Sequence, residues 1–81
     1  MKVKVRFFAT LRERVGTSEI IKEVVVGCTV GKLWDTLQKD YPKLAPVNMK
    51  LLYAVNKDYV GADHILRDMD EVVFVPPVSG G

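Results

Sequence analysis

The sequence predicts an α+β fold in which a single mixed β-sheet carries one main helix across one face. Three observations predict it. Val3, Val5 and Phe7 alternate with Lys2, Lys4 and Arg6, the period-2 pattern of a strand with one buried face. Val30, Leu33, Trp34, Leu37 and Tyr41 recur at the i, i+3, i+4 spacing of one helical stripe. The element order is strand, strand, helix, strand, short strand, strand, and one such helix can cover only one face of a sheet.

Each element follows from local chemistry. In the first strand Phe8 falls on the Lys/Arg face, an apolar residue where the alternation asks for a polar one. Thr10 to Ser18 reads as a connection turning at Gly16. It holds Arg12 and Arg14; loop arginines are ordinarily solvated, and the alternative is a bidentate contact to a partner's carboxylate. Glu19 to Val26 is a second strand of open register, with Ile20, Val24 and Val26 favouring one face and Ile21 and Val25 the other. Gly27-Cys28 turns the chain. Thr29 is a good helix N-cap and Pro42 ends the helix. Trp34 is expected to fill the space between helix and sheet.

Lys43 to Asn48 reads as a loop. Leu51 to Val55 is a third strand, Asn56-Lys57-Asp58 has turn chemistry, and Tyr59-Val60 begins a short return strand. Asp63 to Asp70 is polar, with Ile65 and Leu66 available to dock it on the core and His64 expected to be exposed. Asp68, Asp70 and Glu71 read as the charges of a turn. In the last strand, Glu71 to Val75, Val72 and Phe74 share one face and Val73 and Val75 the other. If the first and last strands are neighbours, Phe8 and Val75 form an apolar patch on the face away from the helix.

The 81 residues make one domain, residues 1–75, with a tail at residues 76–81. A hydrophobic fraction of 48% supplies a core. The net charge of +2 is spread without a basic block, so no nucleic-acid partner is expected. Neither signal peptide nor membrane-length apolar run is apparent, so no membrane partner and a cytoplasmic location are expected. The single cysteine, Cys28, excludes a disulfide framework, and as a nucleophile it lacks a nearby base. No catalytic carboxylate pair, phosphate loop or Ser/His/Asp set is present, and no metal ligand set is expected.

The tail, Pro76-Pro77-Val78-Ser79-Gly80-Gly81, follows the last strand directly. Proline gives no N–H to a sheet ladder, so pairing stops there. Five residues beyond Pro76 reach roughly 17 Å when extended. Two final glycines pass a narrow channel and leave the terminal carbonyl carbon unhindered.

Phe7-Phe8-Ala9 with Leu11-Arg12-Glu13, Thr29-Val30 at the helix start, Leu52-Tyr53-Ala54-Val55-Asn56, and Leu66 through the terminal Gly80-Gly81 together resemble the ubiquitin-like β-grasp sulfur carriers. The similarity is greatest to small subunits of molybdopterin synthase and spans essentially the whole chain. Met69 stands where that family usually has glycine, so the turn there is where this chain departs from the pattern. The resemblance implies a β-grasp fold and no bound cofactor. It implies that an E1-like adenylyltransferase activates the Gly81 carboxylate with ATP, and that a persulfide sulfur donor converts it to a thiocarboxylate. The tail would then enter the large subunit of molybdopterin synthase, which supplies the catalytic residues, and sulfur would pass to cyclic pyranopterin monophosphate for the dithiolene of a molybdenum or tungsten cofactor. Positions matching the family's large-subunit contacts are Phe8, Arg12, Tyr59 and Val75. The alternatives are a ubiquitin-like protein modifier, or a sulfur carrier for tRNA or thiamine thiolation.

Overall fold

The structure is a computed structural model that describes residues 1–44 and 51–76. Among the described residues five strands form one sheet: β1 (Lys2–Phe7), β2 (Glu19–Glu23), β3 (Leu52–Val55), β4 (Asp58–Val60) and β5 (Glu71–Val75), in spatial order β2-β1-β5-β3-β4. β1 and β5 pair in parallel at the centre, and the other three pairings are antiparallel. Helix α2 (Val30–Asp40) supplies the buried side chains Val30, Leu33, Trp34 and Leu37 that cover one face. This is the β-grasp arrangement that the resemblance implies.

The core follows the alternation. Val3, Val5 and Phe7 from β1 and Val72 and Phe74 from β5 are all at most 1% exposed. Trp34 fills the helix–sheet gap, its ring centroid 5.0 Å from that of Phe74. Thr29 caps α2, its side-chain oxygen accepting the Lys32 N–H at 3.2 Å. The next loop satisfies two more helix-end donors: Val30 N–H donates to the His64 carbonyl at 3.0 Å and Gly31 N–H to the Ala62 carbonyl at 2.8 Å. A Cβ at Gly31 would stand 3.2 Å from that Ala62 oxygen, so this close approach uses the missing side chain.

Several local expectations are corrected. The connection expected at Thr10 to Ser18 contains a two-turn helix, α1 (Ala9–Val15), followed by Gly16 in the left-handed region at φ 90°. Its signal was weak because Leu11 is its only fully buried residue and its N-cap, Phe8, makes no side-chain cap hydrogen bond. β2 stops at Glu23, short of the expected Val26, because its partner β1 begins at Lys2; only Val24 N–H finds a further acceptor, the Met1 carbonyl. Val25 and Val26 are consequently exposed. The register of β2 resolves with Ile20 toward the core and Ile21 outward. Leu66 docks on the core whereas Ile65 is 60% exposed, and His64 is half-buried rather than exposed. Asp70 is no surface turn charge: it is buried, with its carboxylate accepting from Asn56 Nδ2 and Arg67 N–H, each at 2.8 Å. The expected loop at Lys43 to Asn48 begins as a 3-10 turn, Pro42–Leu44, and from residue 45 lies outside the described residues.

Met69 adopts φ 68° with its side chain 78% exposed. An L-residue in this region is strained by roughly 1–2 kcal/mol, while glycine loses roughly 0.5–1 kcal/mol of unfolded-chain freedom. Met69→Gly is therefore expected to stabilise the fold by about 0.5–1 kcal/mol. Urea unfolding at constant m-value checks it; an unmoved or lower midpoint would show that the methionine side chain contributes packing that offsets the strain.

Candidate functional site

The parallel register pairs Phe7 with Phe74 and buries both. The next residues, Phe8 and Val75, therefore lie at the same end of the sheet, Val75 as the last residue of β5 and Phe8 one residue past β1, as their sequence positions predict for adjacent strands. Phe8 is 40% exposed and its carbonyl opens α1 by accepting the Leu11 N–H at 3.1 Å. Val75 is paired across the sheet with Leu52, which is 51% exposed. Ala54, on the same outward face, pairs with Val73 on one side and Tyr59 on the other. Tyr59 is 73% exposed and borders a groove of about 380 Å³ with Leu51, Leu52 and Val60.

The outer face is thus apolar from Phe8 through Val75 and Leu52 to Tyr59. Leu52 was not singled out in the sequence because the Leu51-Leu52 doublet hides which residue faces out. Its signal lay in the pairing: a residue opposite outward Val75 must itself point outward.

Charge borders this strip on β1. The Arg6 guanidinium lies 5.8 Å from the Phe8 ring centroid, within cation–π range. Arg6 also approaches Glu19 at 3.9 Å and Glu71 at 3.8 Å, and Lys4 approaches Glu19 at 3.8 Å. These half-exposed pairs add little stability. They do balance the charges in the middle of the face. Arg12 lies on α1, exposed, one turn beyond Phe8, and none of the ion pairs among the described residues uses it.

Pro76 is buried, so the chain leaves β5 from an anchored point. Pro77, Val78, Ser79, Gly80 and Gly81 lie outside the described residues. Counted from Pro76, the five remaining residues give a reach of roughly 17 Å. Among the described residues no group of three or more His, Cys, Asp or Glu is placed to hold a metal ion, and no helix is long and apolar enough to cross a membrane.

The arrangement resembles known proteins over its whole length. The ThiS family model matches residues 5–81. The molybdopterin synthase sulfur carrier subunit of Escherichia coli (strain K12) is 46% identical, over 98% of this chain and 99% of its own. Its counterpart in Mycobacterium tuberculosis is 39% identical, over 100% and 99%. Among solved structures, SAMP1 from Haloferax volcanii, a small archaeal modifier protein, superposes with a TM-score of 0.89 at 25% identity, covering 100% of both chains.

Cys28 is the one thiol, and its position argues against chemistry. It is 6% exposed, its Sγ donates to the Thr29 carbonyl at 3.4 Å, and burial pushes the thiol pKa up, partly countered by the Lys32 charge. A raised pKa keeps the thiolate, the reactive form, scarce at neutral pH. Native Cys28 is expected to react with iodoacetamide several-fold more slowly than the urea-unfolded chain at pH 8. Equal rates in the two states would show the thiol accessible and ionised after all.

Proposed function

The chain belongs to the ThiS family, and on that premise we propose that it is the sulfur-carrier subunit of a molybdopterin synthase, with the terminal carboxyl of Gly81 as the group that carries sulfur. One observation supports this reading above the others. The apolar strip of Phe8, Val75 and Leu52 lies at the root of a tail that ends in Gly80-Gly81. A partner gripping the strip receives the tail's end in its own cleft.

The chemistry needs no catalytic side chain from this chain. The Gly81 carboxylate attacks the α-phosphorus of ATP held by an E1-like adenylyltransferase, and pyrophosphate leaves. A persulfide's terminal sulfur then adds to the acyl carbon and AMP leaves, giving an acyl disulfide. A second thiol of the donor breaks the S–S bond, becomes half of a new disulfide, and releases the thiocarboxylate. Adenylation is the step that turns an unreactive carboxylate into an acyl donor. The thiocarboxylate then donates sulfur to cyclic pyranopterin monophosphate within the large subunit. ATP belongs to the activating enzyme, this chain binds no cofactor, and the reaction sequence belongs to the cytoplasm.

The family's contact positions fit the same picture. Phe8, Tyr59 and Val75 share the outer face with Leu52, and Arg12, exposed one turn beyond Phe8 on α1, would offer a forked guanidinium to a partner carboxylate. A second reading, a protein modifier joined to lysines, is favoured by the likeness to the Haloferax volcanii modifier over all of both chains. Both readings use the same activated Gly81.

Incubation with the activating enzyme, ATP and a persulfide donor is expected to replace one oxygen by sulfur on the C-terminal peptide, read by intact mass and fragmentation. Deleting Gly81 moves the carboxylate by roughly 3.5 Å and is expected to abolish activation. Sulfur on Cys28, or full activation without Gly81, would overturn the carrier mechanism. Adding the large subunit and pyranopterin precursor then separates the readings: dithiolene product supports the synthase, whereas lysine conjugates without it support the modifier.

Phe8→Ala and Leu52→Ala are each expected to weaken large-subunit binding by about 1–3 kcal/mol while leaving the fold intact. Calorimetry with unchanged affinity for both would remove the outer strip from the interface.

A further inference from the structure

A second surface lies on the helix side of the tail-bearing end. α1 and the Pro42–Leu44 turn flank an open surface cavity of about 250 Å³, lined by Arg14, Val15, Asp40, Tyr41, Pro42 and Lys43. Val15 and Tyr41 pack against the core and give it an apolar floor. Arg14 Nη1 donates to the Lys43 carbonyl at 3.5 Å, so the guanidinium sits at the edge formed by the 3-10 turn.

Cations gather here for a local reason. Arg12 and Arg14 occupy the last turn of α1, Lys39 that of α2, and Lys43 that of the 3-10 turn. The partial negative charge at a helix C-terminus favours a cation at each position. Of these four, Arg14 and Lys43 meet at the pocket, and they supply its basic character; Arg12, two residues from Arg14, does not share its helix face. None of the four side chains has a carboxylate within 4.0 Å among the described residues. Of the carboxylates nearby, Asp40 is engaged by the Lys22 ammonium. Glu13 sits next to Arg14 in the chain, and adjacent residues do not share a helix face.

We infer that this cavity binds an acidic segment of a partner protein, an apolar side chain entering between Val15, Tyr41 and Pro42 and carboxylates meeting Arg14 and Lys43. Charge complementarity selects the acidic partner. The apolar floor favours a peptide over a nucleic acid, whose backbone would use the cations and leave the floor empty. The surface is separate from the outer apolar strip, so a partner there leaves Phe8, Val75 and Leu52 free. It does not depend on the sulfur-carrier reading.

The test uses the full chain, ¹⁵N-labelled, with a fluorescein-tagged peptide Asp-Glu-Leu-Glu-Asp, its uncharged counterpart Asn-Gln-Leu-Gln-Asn, and hexauridylate as the nucleic-acid probe. The acidic peptide is expected to shift the amides of Arg14, Val15, Tyr41 and Lys43. The double variant Arg14→Gln/Lys43→Gln is expected to weaken its binding at least about fivefold, with its remaining spectrum unchanged, and added salt should weaken the native complex. The uncharged peptide should leave those amides in place. Absence of the shifts, unchanged affinity of the double variant, or binding of hexauridylate at these residues in preference to the peptide would each overturn the inference.

Discussion

The parallel pairing of β1 with β5 is the constraint on which the rest of the molecule depends. These strands come from opposite ends of the chain, and a parallel pair cannot be closed by a tight turn. Everything between them must leave the sheet and return. The intervening chain meets this by adding β2 antiparallel to the free edge of β1, crossing the face as α2, and adding β3 and β4 outside β5. The crossing helix buries the apolar face that the central pair creates. Phe7 and Phe74, paired in register and fully buried, hold the two strands at the end where the tail departs.

Register is consequently a functional quantity. A slip of one residue in β5 would turn Phe74 outward and Val75 inward, and would displace the root of the tail by roughly 3.3 Å. The entry to β5 is clamped against such a slip. Asp70 gives its carbonyl to Lys4 N–H at 2.9 Å, and its carboxylate holds Asn56 and Arg67. Asn56 in turn accepts the Glu71 N–H at 3.0 Å and donates its own N–H to the Glu71 carbonyl at 2.9 Å. Lys2 is tied twice, its N–H to Asp68 Oδ1 at 2.8 Å and its carbonyl to Met69 N–H at 2.7 Å. The strained backbone at Met69 is part of this clamp, so the turn is held by hydrogen bonds rather than by an easy conformation.

What was legible in the sequence was whatever repeated with a period. The alternation of Val3, Val5 and Phe7 and the stripe from Val30 to Leu37 named their buried faces correctly. Phe8 was legible because it broke a pattern, and Val75 because its strand gave it the opposite face to Phe74. Features that rest on tertiary context were hidden. α1 has one buried side chain and no side-chain cap, so packing against its neighbours decides it rather than its own pattern. Val25 and Val26 have strand-forming side chains, yet the strand ends where its partner does. Asp70 resembled its neighbours Asp68 and Glu71 in every local respect, and only its three-dimensional partners distinguish it. The basic cavity was equally invisible, since Arg14 and Lys43 are 29 positions apart.

The proposed carrier must be held firmly enough for chemistry and then let go, by an activating enzyme first and by a synthase afterwards. A large apolar interface would serve the first need and defeat the second. The outer strip has few large exposed side chains, Phe8, Leu52 and Tyr59, and the middle of the face is closed by the balanced lattice of Lys4, Arg6, Glu19 and Glu71. Such a patch alone supports modest affinity, because a handful of anchors carries most of the energy of an interface. The tail adds a second grip through a short link from buried Pro76. Joining two modest contacts by a short linker raises their combined strength without enlarging either. The chemistry proposed for Gly81 would alter only the grip at the tail's end. The apolar strip would be the same before and after the proposed adenylation, and before and after the proposed delivery of sulfur. Partners can therefore share one docking strip and still distinguish the state of the cargo, because the cleft that receives the tail is where the difference is read.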